Sequence, residues 1–147
     1  MARKILLATH GHLADGLMSA ARVLVGDSYP IETINAYTDE EPDDYTERIR
    51  SFVNGVGPED EGVICTDLTG GSVNQKVVRL LAEMGDSVPK TFYVVSETNL
   101  MTLLALLLEG RALTDEVMGE LVGQSVPSII AFRIVENSEE PDEDFLS

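Results

Sequence analysis

Short apolar runs alternate with segments of helical periodicity along most of the chain, and this alternation restricts the possible folds more than any other feature. The apolar runs cover residues 4–8, 31–36, 62–66, 91–95 and 128–135, with helical segments between them. A strand–helix–strand connection usually makes its two strands parallel, with the helix packed on the sheet. The order therefore predicts an α/β fold with a doubly wound, mainly parallel sheet.

Several helix boundaries are marked by residues that favour helix ends. Pro42 suits the first position of the second helix, because its missing N–H would have no helical partner there. Ser72 and Gln75 form the serine-x-x-glutamine pattern of a capping box, which predicts that the third helix begins at Ser72. Residues 99–109 form a helix that is apolar almost all round, so we expect a second subunit to cover part of it.

The composition limits what the protein binds. The chain of 147 residues is long enough for one domain with its own core, which we place at residues 1–135. Residues 136–147 are acidic without a basic residue, so we predict a disordered tail. The formal net charge of −16 argues against nucleic acid and anionic lipid as partners.

Other features favour a cytoplasmic protein. No apolar run approaches the roughly 20 residues that cross a bilayer, and the apolar start is too short for a signal-peptide core. Cys65 is the only cysteine, so no intramolecular disulfide can form. Because Cys65 stands in an apolar run, we expect a core residue rather than a nucleophile.

Two loops at predicted strand ends carry the candidate chemistry. His10 follows the first strand and Asp67 follows the third. In the flavodoxin-like strand order 2-1-3-4 these strands are neighbours at the topological switch point, where open α/β sheets bind ligands. A carboxylate beside a histidine fixes the ring tautomer and leaves the other nitrogen as a directed nucleophile. We therefore predict His10 and Asp67 as a catalytic pair, the alternative being that each only satisfies a turn.

The loop after Asp67 has the features of an anion site. Gly70 and Gly71 allow a ligand close to the backbone, and Ser72 opens a helix whose first N–H groups face outward. No lysine follows the glycines, which argues against a nucleotide P-loop and favours a lone phosphoryl group. A tight turn with a serine cap is the alternative. The expected phosphate contacts are Thr9, Thr69, Gly70, Gly71 and Ser72.

We expect neither a metal nor another cofactor. His12 lies two residues from His10, but the chain has no third histidine and no cysteine cluster to complete a metal site. His12 is therefore predicted to be a non-catalytic residue near the start of the first helix.

These motifs resemble the IIA component of the mannose family of the bacterial phosphoenolpyruvate:sugar phosphotransferase system (PTS). The resemblance spans roughly residues 3–135 and rests on Thr9-His10-Gly11, residues 13–17, residues 67–72 with Asn74, and Asn99-Leu100. The histidine–glycine start alone is common, whereas its combination with the loop at residues 67–72 is fairly specific.

The resemblance implies a homodimer whose last strand, residues 128–135, is antiparallel and often exchanged between subunits. It implies that His10 is the phosphorylated histidine, that Asp67 orients its ring and that the backbone of residues 70–72 holds the phosphoryl oxygens. The phosphoryl group would come from the phosphocarrier protein HPr and pass to a IIB component for sugar uptake. The protein would be at most peripheral to the membrane components IIC and IID.

The chain departs from this family pattern in two places. An acidic tail stands where some relatives have a linker into a fused IIB domain, so we expect a free-standing protein or a piece of a longer one. Thr69 stands where many relatives carry an aromatic or bulkier residue, which concerns partner contacts more than phosphate chemistry.

Several other functions fit the residues less well. A histidine phosphatase usually has an arginine before its histidine, where Thr9 stands, and His10 with His12 is a thin ligand set for a tetrapyrrole chelatase. A receiver domain would need an acidic pair after the first strand. Two alternatives stay open: a regulatory paralogue that senses phosphorylation state, and the phosphodonor subunit of a dihydroxyacetone kinase, which would carry a different loop at residues 70–72.

Overall fold

The computed structural model describes residues 1–133, which form a parallel sheet with helices on both faces. The strands are β1 (Arg3–His10), β2 (Ile31–Ala36), β3 (Glu61–Thr66) and β4 (Phe92–Val95), in the spatial order β2-β1-β3-β4. The helices are α1 (Leu13–Val25), α2 (Thr46–Asn54), α3 (Ser72–Met84), α4 (Leu100–Leu108) and α5 (Asp115–Gly123). The doubly wound fold and the strand order 2-1-3-4 are therefore confirmed.

Alternate residues of the central strands enter two separate cores. Ile5 and Leu7 of β1 face one side, where they pack with buried residues of α1, α4 and α5. Leu6 and Ala8 face the other side, against α2 and α3. Because β1 and β3 are covered on both faces, their middle residues, 5–8 and 63–65, are apolar without interruption, as expected for inner strands of a parallel sheet. Cys65 is fully buried in the first core, and this burial raises the pKa of its thiol to about 12, which suits a core residue.

The prediction of a last antiparallel strand over residues 128–135 is not supported. Residues 128–133 form no strand, and residues 134 and 135 lie outside the described residues. A strand forms only where its backbone pairs with a neighbouring edge. The side chains of Ile129, Ile130 and Phe132 are instead exposed. The predicted acidic tail, residues 136–147, also lies outside the described residues.

Two helix starts differ in detail from the sequence expectation. Pro42 precedes the second helix instead of opening it, because Asp44 accepts hydrogen bonds from the backbone and hydroxyl of Thr46, where α2 begins. The third helix does begin at Ser72, but Gly71 is its N-cap and the Ser72 side chain makes no cap. The Ser72 hydroxyl is thereby left for other contacts. Within the described residues, no helix combines the length and apolar character needed to cross a membrane.

Candidate functional site

The carboxyl ends of β1 and β3 bring His10 and Asp67 together, as the sequence predicts. His10 is the last residue of β1, and Asp67 directly follows β3, the neighbouring parallel strand. The Nδ1 atom of His10 lies 2.9 Å from Oδ2 of Asp67. The same carboxylate oxygen accepts the backbone N–H of His10 at 2.8 Å, while Oδ1 accepts the N–H of Leu68 at 2.9 Å. Backbone N–H groups thus fix both oxygens of the carboxylate independently of its contact with the His10 ring.

These hydrogen bonds keep Asp67 ionised. Its burial opposes ionisation, but the N–H groups of His10 and Leu68 and the His10 ring outweigh burial and hold the pKa of Asp67 below its ordinary value. A carboxylate can only accept hydrogen bonds, so the neutral His10 ring carries its hydrogen on Nδ1. The lone pair of Nε2 is then available as a nucleophile. The His10 side chain is 38% exposed against 10% for Asp67, so His10 is the more solvent-accessible member of the pair.

The start of α3 lies beside this nitrogen. The Ser72 hydroxyl is 3.3 Å from Nε2 of His10. A Cβ built on Gly71 would lie 3.7 Å from Cε1 of the ring, an ordinary contact, but only 3.1 Å from Cβ of Leu68, so the tight turn at Leu68 is what favours glycine here. The first N–H groups of a helix have no partner within the helix and favour an anion. The first turn of α3 is therefore a suitable place for phosphoryl oxygens.

The two predicted glycine contacts already use their amides within the turn. The N–H of Gly70 donates to Oδ1 of Asn74 at 3.1 Å, and the N–H of Gly71 donates to the carbonyl of Leu68 at 3.0 Å. Gly70 has a φ of 75°, a conformation that favours glycine over other residues. The glycines thus shape the loop, and the amides from Ser72 onward are better placed to meet a ligand.

The two predicted threonine contacts point their hydroxyls elsewhere. Thr9 is fully buried, and its hydroxyl accepts the backbone N–H of Ala14 at 2.8 Å, which caps the start of α1. The Thr69 hydroxyl donates to Oε2 of Glu97 at 3.0 Å and lies 2.6 Å from Oγ of Ser96. Neither threonine is brought to the His10 ring by these contacts.

One residue of the site, Tyr37, was missed by the sequence analysis. Its ring lies 5.3 Å from the His10 ring, centroid to centroid, and its hydroxyl is 2.7 Å from Oγ of Ser72. Tyr37 directly follows β2, and the last residue of β2, Ala36, pairs with His10 across the sheet. An aromatic residue one position beyond that strand end was the available signal.

A group of possible metal ligands lies close to the site in sequence. His12, Asp15 and Glu40 have donor atoms within 4.8 Å of one another, and Nδ1 of His12 is 3.8 Å from Oε2 of Glu40. His12 and Glu40 are exposed, so water competes freely for a cation there. His12 is the N-cap of α1, which agrees with its predicted place near the start of that helix.

Comparisons with known proteins agree on one family. Residues 4–100 match the sequence profile of the EIIA-man family, described as PTS system fructose IIA component. A structure from Klebsiella pneumoniae, assigned as a phosphoenolpyruvate-dependent sugar PTS permease, aligns with a TM-score of 0.71 and 28% identity over 87% of this chain and 91% of that one.

Two further solved structures share the fold at lower identity. The PTS component EIIA from Streptococcus agalactiae has a TM-score of 0.68 and 24% identity over 84% of this chain and 92% of its own. The mannose/sorbose-specific IIA subunit from Enterococcus faecalis has a TM-score of 0.69 and 17% identity over 92% of this chain and 100% of its own.

Proposed function

The chain belongs to the EIIA-man family of PTS IIA components, and from this membership we propose that His10 accepts a phosphoryl group from HPr and passes it to a IIB component. IIA components act as phosphotransferases, so the proposal concerns which atoms of this chain carry the group. The observation that supports it most is the 2.9 Å contact between Nδ1 of His10 and Asp67, which leaves the Nε2 lone pair of this partly exposed ring beside the start of α3.

In the proposed transfer one N–P bond forms as another breaks, and the His10 ring loses no proton. The lone pair of Nε2 forms the new N–P bond while the N–P bond to the donor histidine breaks and returns its electron pair to that nitrogen. Because Nδ1 keeps its hydrogen, the phosphorylated ring is positively charged, and the Asp67 carboxylate stabilises that charge. Transfer to a histidine of IIB reverses the same steps.

The backbone supplies the remaining stabilisation. A transferring phosphoryl group spreads negative charge over its three outer oxygens in a loose, in-line transition state. N–H groups at the first turn of α3 are fixed in place before the group arrives, so they stabilise this charge without reorganisation. The phosphoryl group passes between histidine nitrogens in each step of this scheme, so we expect transfer to need neither a metal nor a cofactor.

The first experiment is phosphorylation by phosphoenolpyruvate, Enzyme I and HPr, followed by intact mass. We expect one acid-labile phosphoryl group on the wild type, dependent on HPr, and none on His10→Ala. His12→Ala is the matched control, because it removes the other histidine and leaves the His10–Asp67 contact intact; it should be labelled like the wild type. Label on His10→Ala, or an unlabelled wild type, would contradict the proposal. Adding a IIB component to the labelled protein then tests onward transfer.

We also propose that the protein is a homodimer. Met101 and Leu108 of α4 are exposed, as are Ile129, Ile130 and Phe132 beyond α5. Large exposed apolar side chains grouped along one short segment are typical of an interface. Within the described residues β4 is an edge strand of the sheet, so its outer backbone is available to a second copy of the chain.

Light scattering after size exclusion tests the oligomer. The wild type should have twice the mass of one chain, and Ile129→Asp with Phe132→Asp should have the mass of a monomer. Val23→Asp with Leu24→Asp places the same two charges on exposed residues of α1 and should leave the dimer intact. A monomeric wild type would rule out the dimer without affecting the role of His10.

A further inference from the structure

Tyr37 occupies a backbone conformation that its residue type disfavours. Its φ is 65°, in the left-handed region that residues with a Cβ adopt at a cost. Its side chain is one of the exposed aromatic groups, with a relative accessibility of 60%, so burial does not explain why it stays there. The conformation instead brings Tyr37 into contact with two other rings. Its ring packs beside that of His10, and it forms an edge-to-face pair with Tyr45 at a centroid distance of 6.4 Å.

The hydroxyl of Tyr37 ends a chain of three polar groups. It lies 2.7 Å from Oγ of Ser72, which lies 3.3 Å from Nε2 of His10. In the neutral ring Nε2 has only a lone pair, so Ser72 must be the donor in its contact with His10. A serine hydroxyl has one hydrogen, so Ser72 cannot also donate to Tyr37. The hydrogen between Tyr37 and Ser72 therefore belongs to Tyr37.

We propose that Tyr37 is a positioning residue of the phosphoryl-transfer site, which directs the single hydrogen of Ser72 toward Nε2 of His10. The inference rests on the proposed role of His10. When a phosphoryl group bonds to Nε2, the lone pair is consumed and the Ser72 hydrogen turns to the nearest phosphoryl oxygen. The hydrogen bond from Tyr37 uses one lone pair of the Ser72 oxygen and so keeps the Ser72 hydrogen directed toward His10. The Ser72 hydroxyl therefore needs no large reorientation during transfer.

The substitution Tyr37→Phe tests this directly, because it keeps the ring against His10 and removes only the hydroxyl. We expect transfer from phospho-HPr to slow by about tenfold, the size of one hydrogen bond made in the transition state. Ser72→Ala should slow transfer at least as much. The double variant should be no slower than Ser72→Ala, because Tyr37 acts only through Ser72. Tyr93→Phe is the matched control: its hydroxyl donates to Asp115, away from the site, and transfer should keep its wild-type rate.

A second measurement does not depend on phosphate. The ¹⁵N chemical shift of Nε2 reports whether its lone pair accepts a hydrogen bond, so in unphosphorylated protein Tyr37→Phe should move this shift toward the value in Ser72→Ala. Transfer at the wild-type rate in Tyr37→Phe, or losses that add in the double variant, would overturn the inference. Should the wild type take no phosphate, the proposed function fails, and an Nε2 shift unchanged by Tyr37→Phe would overturn the hydrogen-bond chain as well.

Discussion

The two ends of the β1–β3 pair each hold a carboxylate against a nitrogen group, and they differ in what remains free. At the amino end, Nε of Arg3 lies 2.9 Å from Glu61; at the carboxyl end, Nδ1 of His10 lies the same 2.9 Å from Asp67. The side chains of Arg3 and Glu61 are 16% and 6% exposed, whereas His10 is 38% exposed. The distances alone do not distinguish a structural pair from a reactive one.

The difference lies in the other atoms of each pair. The remaining nitrogens of Arg3 donate to the carbonyls of Leu106, Glu109 and Arg111, and the second oxygen of Glu61 accepts the N–H of Leu113. This pair ties the segment after α4 to the sheet. At the carboxyl end, both oxygens of Asp67 also accept hydrogen bonds, but Nε2 of His10 meets only the Ser72 hydroxyl, at the long distance of 3.3 Å. All the side-chain nitrogens and oxygens of the Arg3–Glu61 pair therefore have partners within the fold, whereas the His10–Asp67 pair leaves Nε2 of His10 without a close one.

The largest expected effect is that of Asp67→Asn on transfer. An asparagine can donate to Nδ1, which would move the ring hydrogen to Nε2 and remove the nucleophilic lone pair. We expect the rate of transfer from phospho-HPr to fall by about 1,000-fold. Rapid-quench kinetics on folded protein, checked by circular dichroism, measures this. Glu61→Gln is the matched control at the other end of the strands, and its rate per folded molecule should equal that of the wild type.

A substitution in the Arg3–Glu61 pair, at the amino end of the strands, should lower the free energy of unfolding and leave transfer unaffected. Arg3→Met leaves the buried Glu61 carboxylate without its positive partner, and breaking such a pair costs about 3 kcal/mol in the free energy of unfolding. Urea denaturation of the wild type and the variant at neutral pH gives the difference. A loss below about 1 kcal/mol, as for a surface pair, would mean that the Arg3 pair is not the anchor described above.

The sequence predicted the order of β1 to β4 and of the five helices because each central strand has buried apolar residues on both faces and most helices have a regular apolar stripe. The strand predicted over residues 128–135 is not supported. It also placed His10 and Asp67 together, since strand order brings the ends of β1 and β3 side by side. Side-chain directions were not predictable in the same way. Ser72 matches a capping pattern, yet Gly71 takes the cap and the Ser72 hydroxyl turns to the site. Tyr37 reaches His10 through a left-handed backbone, which no periodicity encodes.

Acid should weaken the carboxyl-end pair in a defined direction. The pKa of Asp67 is lowered in the folded protein, so its ionised form adds stability above the ordinary value of 3.8, and this contribution is lost as the pH falls below it. The difference in unfolding free energy between the wild type and Asp67→Asn should therefore shrink from pH 7 toward pH 3. Taking the difference cancels the pH-dependent contributions of the other acidic groups, which both proteins share. A difference that grows on acidification would contradict the lowered pKa.

The smallest expected effect is that of Thr69→Ala. This variant tests whether the site around Nε2 of His10 extends as far as the Thr69 hydroxyl. The single hydrogen of the Thr69 hydroxyl goes to Glu97, so it is not available to a phosphoryl oxygen. We expect transfer within about twofold of the wild type, which is well below the tenfold typical of a lost hydrogen bond in the transition state. A tenfold loss would instead make Thr69 a phosphate contact, as the loop pattern predicts, and would require its hydroxyl to leave Glu97 when phosphate arrives. Measuring Glu97→Ala beside it separates these outcomes, since this variant removes the acceptor of the Thr69 hydrogen and should accelerate transfer only if that hydrogen can reach the phosphoryl group.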